Sequence, residues 1–129
     1  IAIENDDKVF KVNDVLKISK VTSIPVVLDY HHHLCNKSDF SFADIFNSWG
    51  NRRVKMHFSS PKNKRDYRSH NEYINGDDFI NFIEILKKYD RDIDIMLEAK
   101  GKDDSLFRLV RYIKYKTDYE FIDDTTFLV

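Results

Sequence analysis

Ile24-Pro25-Val26-Val27-Leu28 runs directly into Asp29-Tyr30-His31-His32-His33, and the reading of this junction decides the fold. A short apolar run of this length reads as a buried strand. Its C-terminal end carries a carboxylate and three imidazoles, groups that bind divalent metals. The pattern then repeats. Ile1-Ala2-Ile3 ends in Glu4, Val54-Lys55-Met56 ends in His57, and Ile93-Asp94-Ile95-Met96-Leu97 ends in Glu98. Four short apolar strands each deliver a metal-type donor at or near the C-terminal end.

Between the strands the apolar spacing becomes helical. A helix is expected from about Val9 to Ser19, with Val12, Val15 and Leu16 on one face. Ser38 or Asp39 is expected to cap a short helix whose Phe42, Ile45, Phe46 and Trp49 follow the i, i+3, i+4, i+7 rule. Gly76-Asp77-Asp78 opens a third, with Phe79, Ile80, Phe82, Ile83 and Leu86 turned inward. Asp103 or Asp104 caps a fourth, carrying Leu106, Leu109, Val110 and Ile113. Residues 119–129 form a tail with no assignable element.

Composition sets the class. The 129 residues are 42% hydrophobic and 33% charged, which describes a globular chain of one domain and not a disordered one. With only three glycines and two prolines, most of the chain is expected in regular elements, apart from a long polar loop after His57. A net charge of −1 confines any nucleic-acid affinity to a local patch. The one cysteine, Cys35, excludes an internal disulfide and suits a reducing compartment, so a cytoplasmic location is expected. It is assigned no chemistry. No membrane-length apolar run occurs, and the start at Ile1, inside a strand, reads as a fragment.

Non-alternating strands, each followed by an amphipathic helix, argue parallel pairing with both faces of the sheet covered. Four consecutive β/α units make the C-terminal half of a TIM (β/α)8 barrel, a fold of about 250 residues whose active sites lie at the C-terminal strand ends. A small doubly wound sheet is the alternative. Convergence of all four donor-bearing ends on one axis favours the barrel.

Glu4-Asn5-Asp6, Leu28-Asp29-Tyr30-His31-His32-His33, Lys55-Met56-His57-Phe58-Ser59-Ser60-Pro61, Arg68-Ser69-His70 and Leu97-Glu98-Ala99-Lys100 together resemble the C-terminal half of the UV damage endonucleases. That family is similar in fold and metal arrangement to endonuclease IV. The resemblance implies a nick in the DNA backbone 5′ to an ultraviolet photoproduct, made with up to three divalent ions, manganese above all. It implies Glu4 as a bridging donor and Asp29 with His32 as an Asp-x-x-His pair. His57, His70 and Glu98 complete the set, with Glu4 and Glu98 central to catalysis. Lys55 matches a lysine that is carboxylated in the family and then serves as a further oxygen donor. The resemblance also implies two more histidine donors and a lesion-probing Gln-Tyr pair from an N-terminal half, and no stretch here matches them. The missing half, or a second copy of this chain, is the expected partner.

His31 and His33 flank His32. By strand alternation at least one faces away, so one is expected to orient a donor or face substrate and the other to be structural. The segment from Pro61 to His70 is the one basic patch. Its Lys62, Lys64, Arg65 and Arg68, with Tyr67 among them, suit phosphates and a splayed base of damaged duplex DNA. Lys100 and Lys102 belong to the same rim. Ordinary readings stand beside these: a strand-end Glu or Asp is commonly a helix cap, and a charged run is commonly a solvated loop. Two other functions fit the donors. A metal-dependent sugar isomerase has no use for the cationic loop, and binding to damaged duplex against binding to pentoses separates it. A non-catalytic, metal-binding half-barrel is separated by activity with and without the missing half.

Overall fold

The computed structural model describes residues 1–129. Strand β1 (Ile3–Glu4) leads to α1 (Val12–Thr22), β2 (Val26–Asp29), α2 (Tyr30–Cys35), α3 (Phe42–Ser48), β3 (Val54–Phe58), α4 (Gly76–Leu86), β4 (Ile93–Leu97) and α5 (Lys102–Lys116). A hairpin of β5 (Glu120–Phe121) and β6 (Phe127–Leu128) closes the chain. The four main strands form one sheet in the order β1-β2-β3-β4. Every neighbour is parallel, with Glu4 beside Val27, Asp29 beside His57 and His57 beside Met96. This is the α/β alternation expected from the apolar runs.

One expectation fails here. The sheet is covered on one face only. Val26, Leu28, Val54, Met56 and Phe58 are buried in one core with Val12, Val15, Leu16, Ile45, Phe46, Phe79, Phe82, Leu109 and Ile113 of the helices. The alternate positions are not: Lys55 is exposed, Val27 and His57 are half-buried, and Met96 keeps 60% of its surface. Strand residues alternate between faces, so Glu4, Asp29 and His57 share the uncovered side with the exposed positions. The continuous hydrophobic look of Val26-Val27-Leu28 hid this alternation.

Helix boundaries follow caps more than periodicity. α1 begins at Val12, not Val9, and ends past Ser19 at Thr22, where Ser23 takes the left-handed conformation (φ 59°). Val9 and Phe10 lie outside it and are exposed. α3 is capped by Ser41 and not by Ser38 or Asp39; the Ser41 hydroxyl accepts from the Ala43 N–H at 3.2 Å. α5 starts at Lys102 behind Gly101, which leaves Asp103 and Asp104 in the first turn, where carboxylates favour the helix dipole. Ser105, Leu109 and Ile113 form its buried stripe, while Leu106 is 46% exposed.

Candidate metal centre

Asp29 closes β2 and begins α2 in the same residue. Its Oδ1 accepts the His32 N–H at 2.8 Å, an N-cap that turns the chain from strand to helix at once. The three histidines therefore sit on a helix, about 100° apart by helical geometry, and not on a strand with two-fold alternation. They point three ways. His32 turns to the donors, His31 to the loop after β3, and His33 to Phe40, whose ring it meets edge-on at 4.8 Å.

Asn5, to which no sequence motif assigns a role, supports this junction. β1 is two residues long and cannot reach Asp29 by its own ladder. The Asn5 side chain extends it: Nδ2 donates to the Asp29 carbonyl at 2.9 Å and Oδ1 accepts the Asp29 N–H at 3.0 Å. Asn5 is 1% exposed, so these bonds satisfy backbone groups that water does not reach. Its carbonyl accepts from His32 Nδ1 at 3.0 Å, which fixes the tautomer and leaves Nε2 with a free lone pair. An amide directly after a strand end was the available signal.

The six residues expected as donors form an unbroken chain of contacts. His32 Nδ1 lies 3.4 Å from Asp29 Oδ2 and 3.7 Å from Glu4 Oε1. Glu4 Oε1 is 3.2 Å from His57 Nδ1, which is 3.5 Å from Glu98 Oε1. His70 Nε2 completes it at 3.8 Å from Glu98 Oε2. Within it, donor atoms of Glu4, Asp29 and His32, and of Asp29, His57 and Glu98, lie within 4.8 Å of one another. Asp29 joins both groups. It is fully buried, its Oδ2 has no hydrogen-bond partner, and burial pushes its carboxyl above the usual range despite the His32 N–H. A buried anionic oxygen without a partner is costly unless a cation meets it. Carboxylate and imidazole donors in this mixture fit manganese, zinc or iron better than magnesium.

Other residues expected at the site stand around these donors. Lys55 lies one strand pleat below His57, outside this chain of contacts. Its ammonium contacts Asp94 Oδ2 at 2.8 Å, and with Arg53 it holds the Asp94 carboxyl below the ordinary value. His31 is buried, with Nε2 2.8 Å from the Tyr67 carbonyl, and burial lowers its pKa. Burial lowers that of His33 too. Lys62, Lys64, Arg65, Tyr67 and Arg68 are exposed on the loop, where Lys62 faces Asp66 at 3.9 Å and Arg68 faces Asp7 at 3.6 Å. Arg68 and Lys100 line an open cleft of about 600 Å³ together with Ser69, His70, Glu98 and Ala99. The cationic rim, His70 and Glu98 thus border the same space. No helix is long and apolar enough to cross a membrane.

Known proteins carry the same arrangement of sequence. The family model for UV-endonuclease UvdE matches residues 1–126. A UV DNA damage endonuclease of Bacillus cereus (strain G9842) is 37% identical over 116 residues, covering 85% of this chain and 37% of the relative. One of Bacillus mycoides (strain KBAB4) is 35% identical, with the same coverage. The crystal structure of SacUVDE matches with a TM-score of 0.75 at 33% identity, over 88% of this chain and 39% of that one. The chain thus spans 37% of the length of the first of these curated relatives, and its four parallel β/α units match part of a barrel. With nearly every residue inside the family match and a solved relative of the same topology, the chain belongs to the UV-endonuclease UvdE family.

Proposed function

We propose that residues 1–129 form one unit, the last four β/α units of a barrel, and carry most of the metal donors of a DNA repair endonuclease. The enzyme nicks the backbone of double-stranded DNA 5′ to ultraviolet photoproducts. The observation that supports this best is the unbroken contact chain from Asp29 and His32 through Glu4 and His57 to Glu98 and His70, drawn from four successive strand ends and the loop after β3. Family membership supplies the reaction class.

In this reading Glu4, Asp29, His32, His57, His70 and Glu98 hold up to three divalent ions, manganese by preference. Bound there, the ions supply an activated water, neutralise the phosphoryl oxygens and stabilise the leaving oxygen. The chain's residues do the rest. Glu4 and Glu98 each stand between two imidazoles, the position a bridging carboxylate needs. Asp29 is held in its rotamer by the His32 N–H, and His32 in its tautomer by Asn5. Lys62, Lys64, Arg65, Arg68 and Lys100 draw the phosphates to the cleft beside His70 and Glu98, and Tyr67 offers an exposed ring to an unstacked base. Lys55, paired with Asp94, needs that ion pair broken before it can serve as a carboxylated donor.

A chimera tests this. Residues 1–126 replace the matched segment of the Bacillus cereus relative, and irradiated and unirradiated plasmids are incubated with Mn2+. The chimera is expected to nick the irradiated plasmid alone. A folded chimera that binds Mn2+ and leaves irradiated DNA intact would defeat the proposal.

A further inference from the structure

His31 stands between the donors and the cationic loop, and neither metal binding nor core packing accounts for it. It is 1% exposed, on a helix of six residues beside His32. A carbonyl oxygen only accepts, so the contact at 2.8 Å to Tyr67 requires the hydrogen on His31 Nε2. Nδ1 is then a buried acceptor with no partner, so the bond to the Tyr67 carbonyl is the one polar contact this ring makes. The ring lies 5.4 Å from that of His70 and 5.7 Å from that of Tyr67. His33 also has an unpaired Nδ1, but its ring packs on Phe40 and Tyr30 and makes no hydrogen bond to the loop, so the bond to Tyr67 is what sets His31 apart.

The loop needs such an anchor. Between Pro61 and His70 it has no helix or strand. Its neck is closed by the Pro61–His70 bridge, the Lys62 N–H to the Ser69 carbonyl at 2.7 Å, and the Asn71 N–H to the Ser60 carbonyl at 2.8 Å. Farther out, its other tie to the rest of the chain is the exposed Arg68–Asp7 pair. Tyr67 is the point where the loop is fastened to a buried side chain.

We propose that His31 is a positioning residue, which fastens the loop 61–70 to α2 through the Tyr67 carbonyl and thereby holds His70 in place as a donor to a divalent ion. This rests on the reading of His70 as a metal donor. It makes α2 the common support of two donors, His32 directly and His70 through His31.

The test uses the full chain, with Mn2+ as the probe in calorimetric titrations. The variants are His31→Ala, His31→Gln, His70→Ala and the double variant of His31→Ala with His70→Ala. Gln retains an N–H at the reach of Nε2, and Ala does not. His31→Ala should weaken Mn2+ binding by about tenfold or more, as loss of a residue behind a metal donor does. His31→Gln should recover most of that, and His31→Ala should add nothing once His70 is gone. Full affinity in His31→Ala, or additive losses in the double variant, overturns the proposal. Amide exchange of the metal-free chain reads the anchoring separately. The Lys62 and Asn71 N–H groups should exchange faster in His31→Ala and recover in His31→Gln, while β3 and α4 stay unchanged; no change at the loop overturns the proposal as well. Should His31→Ala fail to fold, His31→Leu fills the space without an N–H and takes its place. A wild-type chain that takes up no Mn2+, or a His70→Ala variant as tight as wild type, removes the metal reading and with it the donor half of this proposal. Weakened binding in His70→Ala with an unaffected His31→Ala removes this proposal alone.

Discussion

Glu4, Asp29, His57 and Glu98 were legible as one group because each stands at the end of an apolar run in the same register, and that register survives in the structure as a common edge. His32 among its neighbours was not legible in the same way. The family resemblance picked it out, but spacing alone did not, because the Asp29 cap converts two-fold alternation into steps of about 100°. Asn5 was hidden for a different reason: its two bonds to Asp29 span 24 residues, and local pattern carries no trace of such a pairing. Asn5→Ala should destabilise the chain by about 1–3 kcal/mol, since it orphans a buried N–H and a buried carbonyl together. Urea unfolding of the metal-free chain measures it. Glu98→Gln in the complete enzyme should abolish nicking of irradiated DNA and lower metal content while the circular dichroism spectrum holds. Glu98 touches both His57 and His70, so its loss removes the link between them. Wild-type nicking by that variant with metal retained would exclude the role.

The elements show where periodicity is a good guide and where it is not. α4 and β4 lie where their apolar patterns put them, because Gly76 and the acidic first turn punctuate the one and Leu97-Glu98 ends the other. α1 and α3 start later than their patterns suggest. Val9 and Phe10 continue a hydrophobic sequence but not the helix, which waits for a backbone bond from Val15 to Lys11. The hairpin of β5 and β6 was invisible, being two strands of two residues each. It is tied to α4 by a short hydrogen bond from the Tyr119 hydroxyl to Glu84, and Phe127 stacks on both Tyr119 and Phe121. Burial and the Glu84 carboxylate push the Tyr119 phenol up to about 12. An unfolded tyrosine titrates near 10, so between the two values the unfolded chain holds fewer protons than the folded one. The stabilisation is therefore complete below pH 10 and is lost as pH rises toward 12. Melting wild type and Tyr119→Phe at pH 9 and pH 11 should show the larger drop in wild type. Equal drops would mean that the hairpin is held by its stacked rings and not by the hydroxyl.

At the scale of the whole molecule, β1 and β4 each end the sheet with one backbone edge unpaired. Two helices also carry exposed apolar side chains, Ile18 and Val21 on α1, which packs on β1, and Leu106 and Phe107 on α5. Open edges beside apolar surface recruit other chains. Sedimentation of the isolated chain should show association that grows with concentration, and a monodisperse monomer with one cooperative melt would contradict it. The uncovered sheet face belongs to the same picture: a chain that matches part of a barrel presents the barrel's inside to solvent, so Met96 and Lys55 look like surface residues. The contact between Glu4 and His57, which joins residues 53 apart, has a consequence of another kind. An ion shared by them closes a long loop that the unfolded chain cannot close, so occupancy and folding become one equilibrium. By mass action, Mn2+ at about 100 times its dissociation constant should add about 2.7 kcal/mol to stability, and a chelator should act on this protein as a denaturant does.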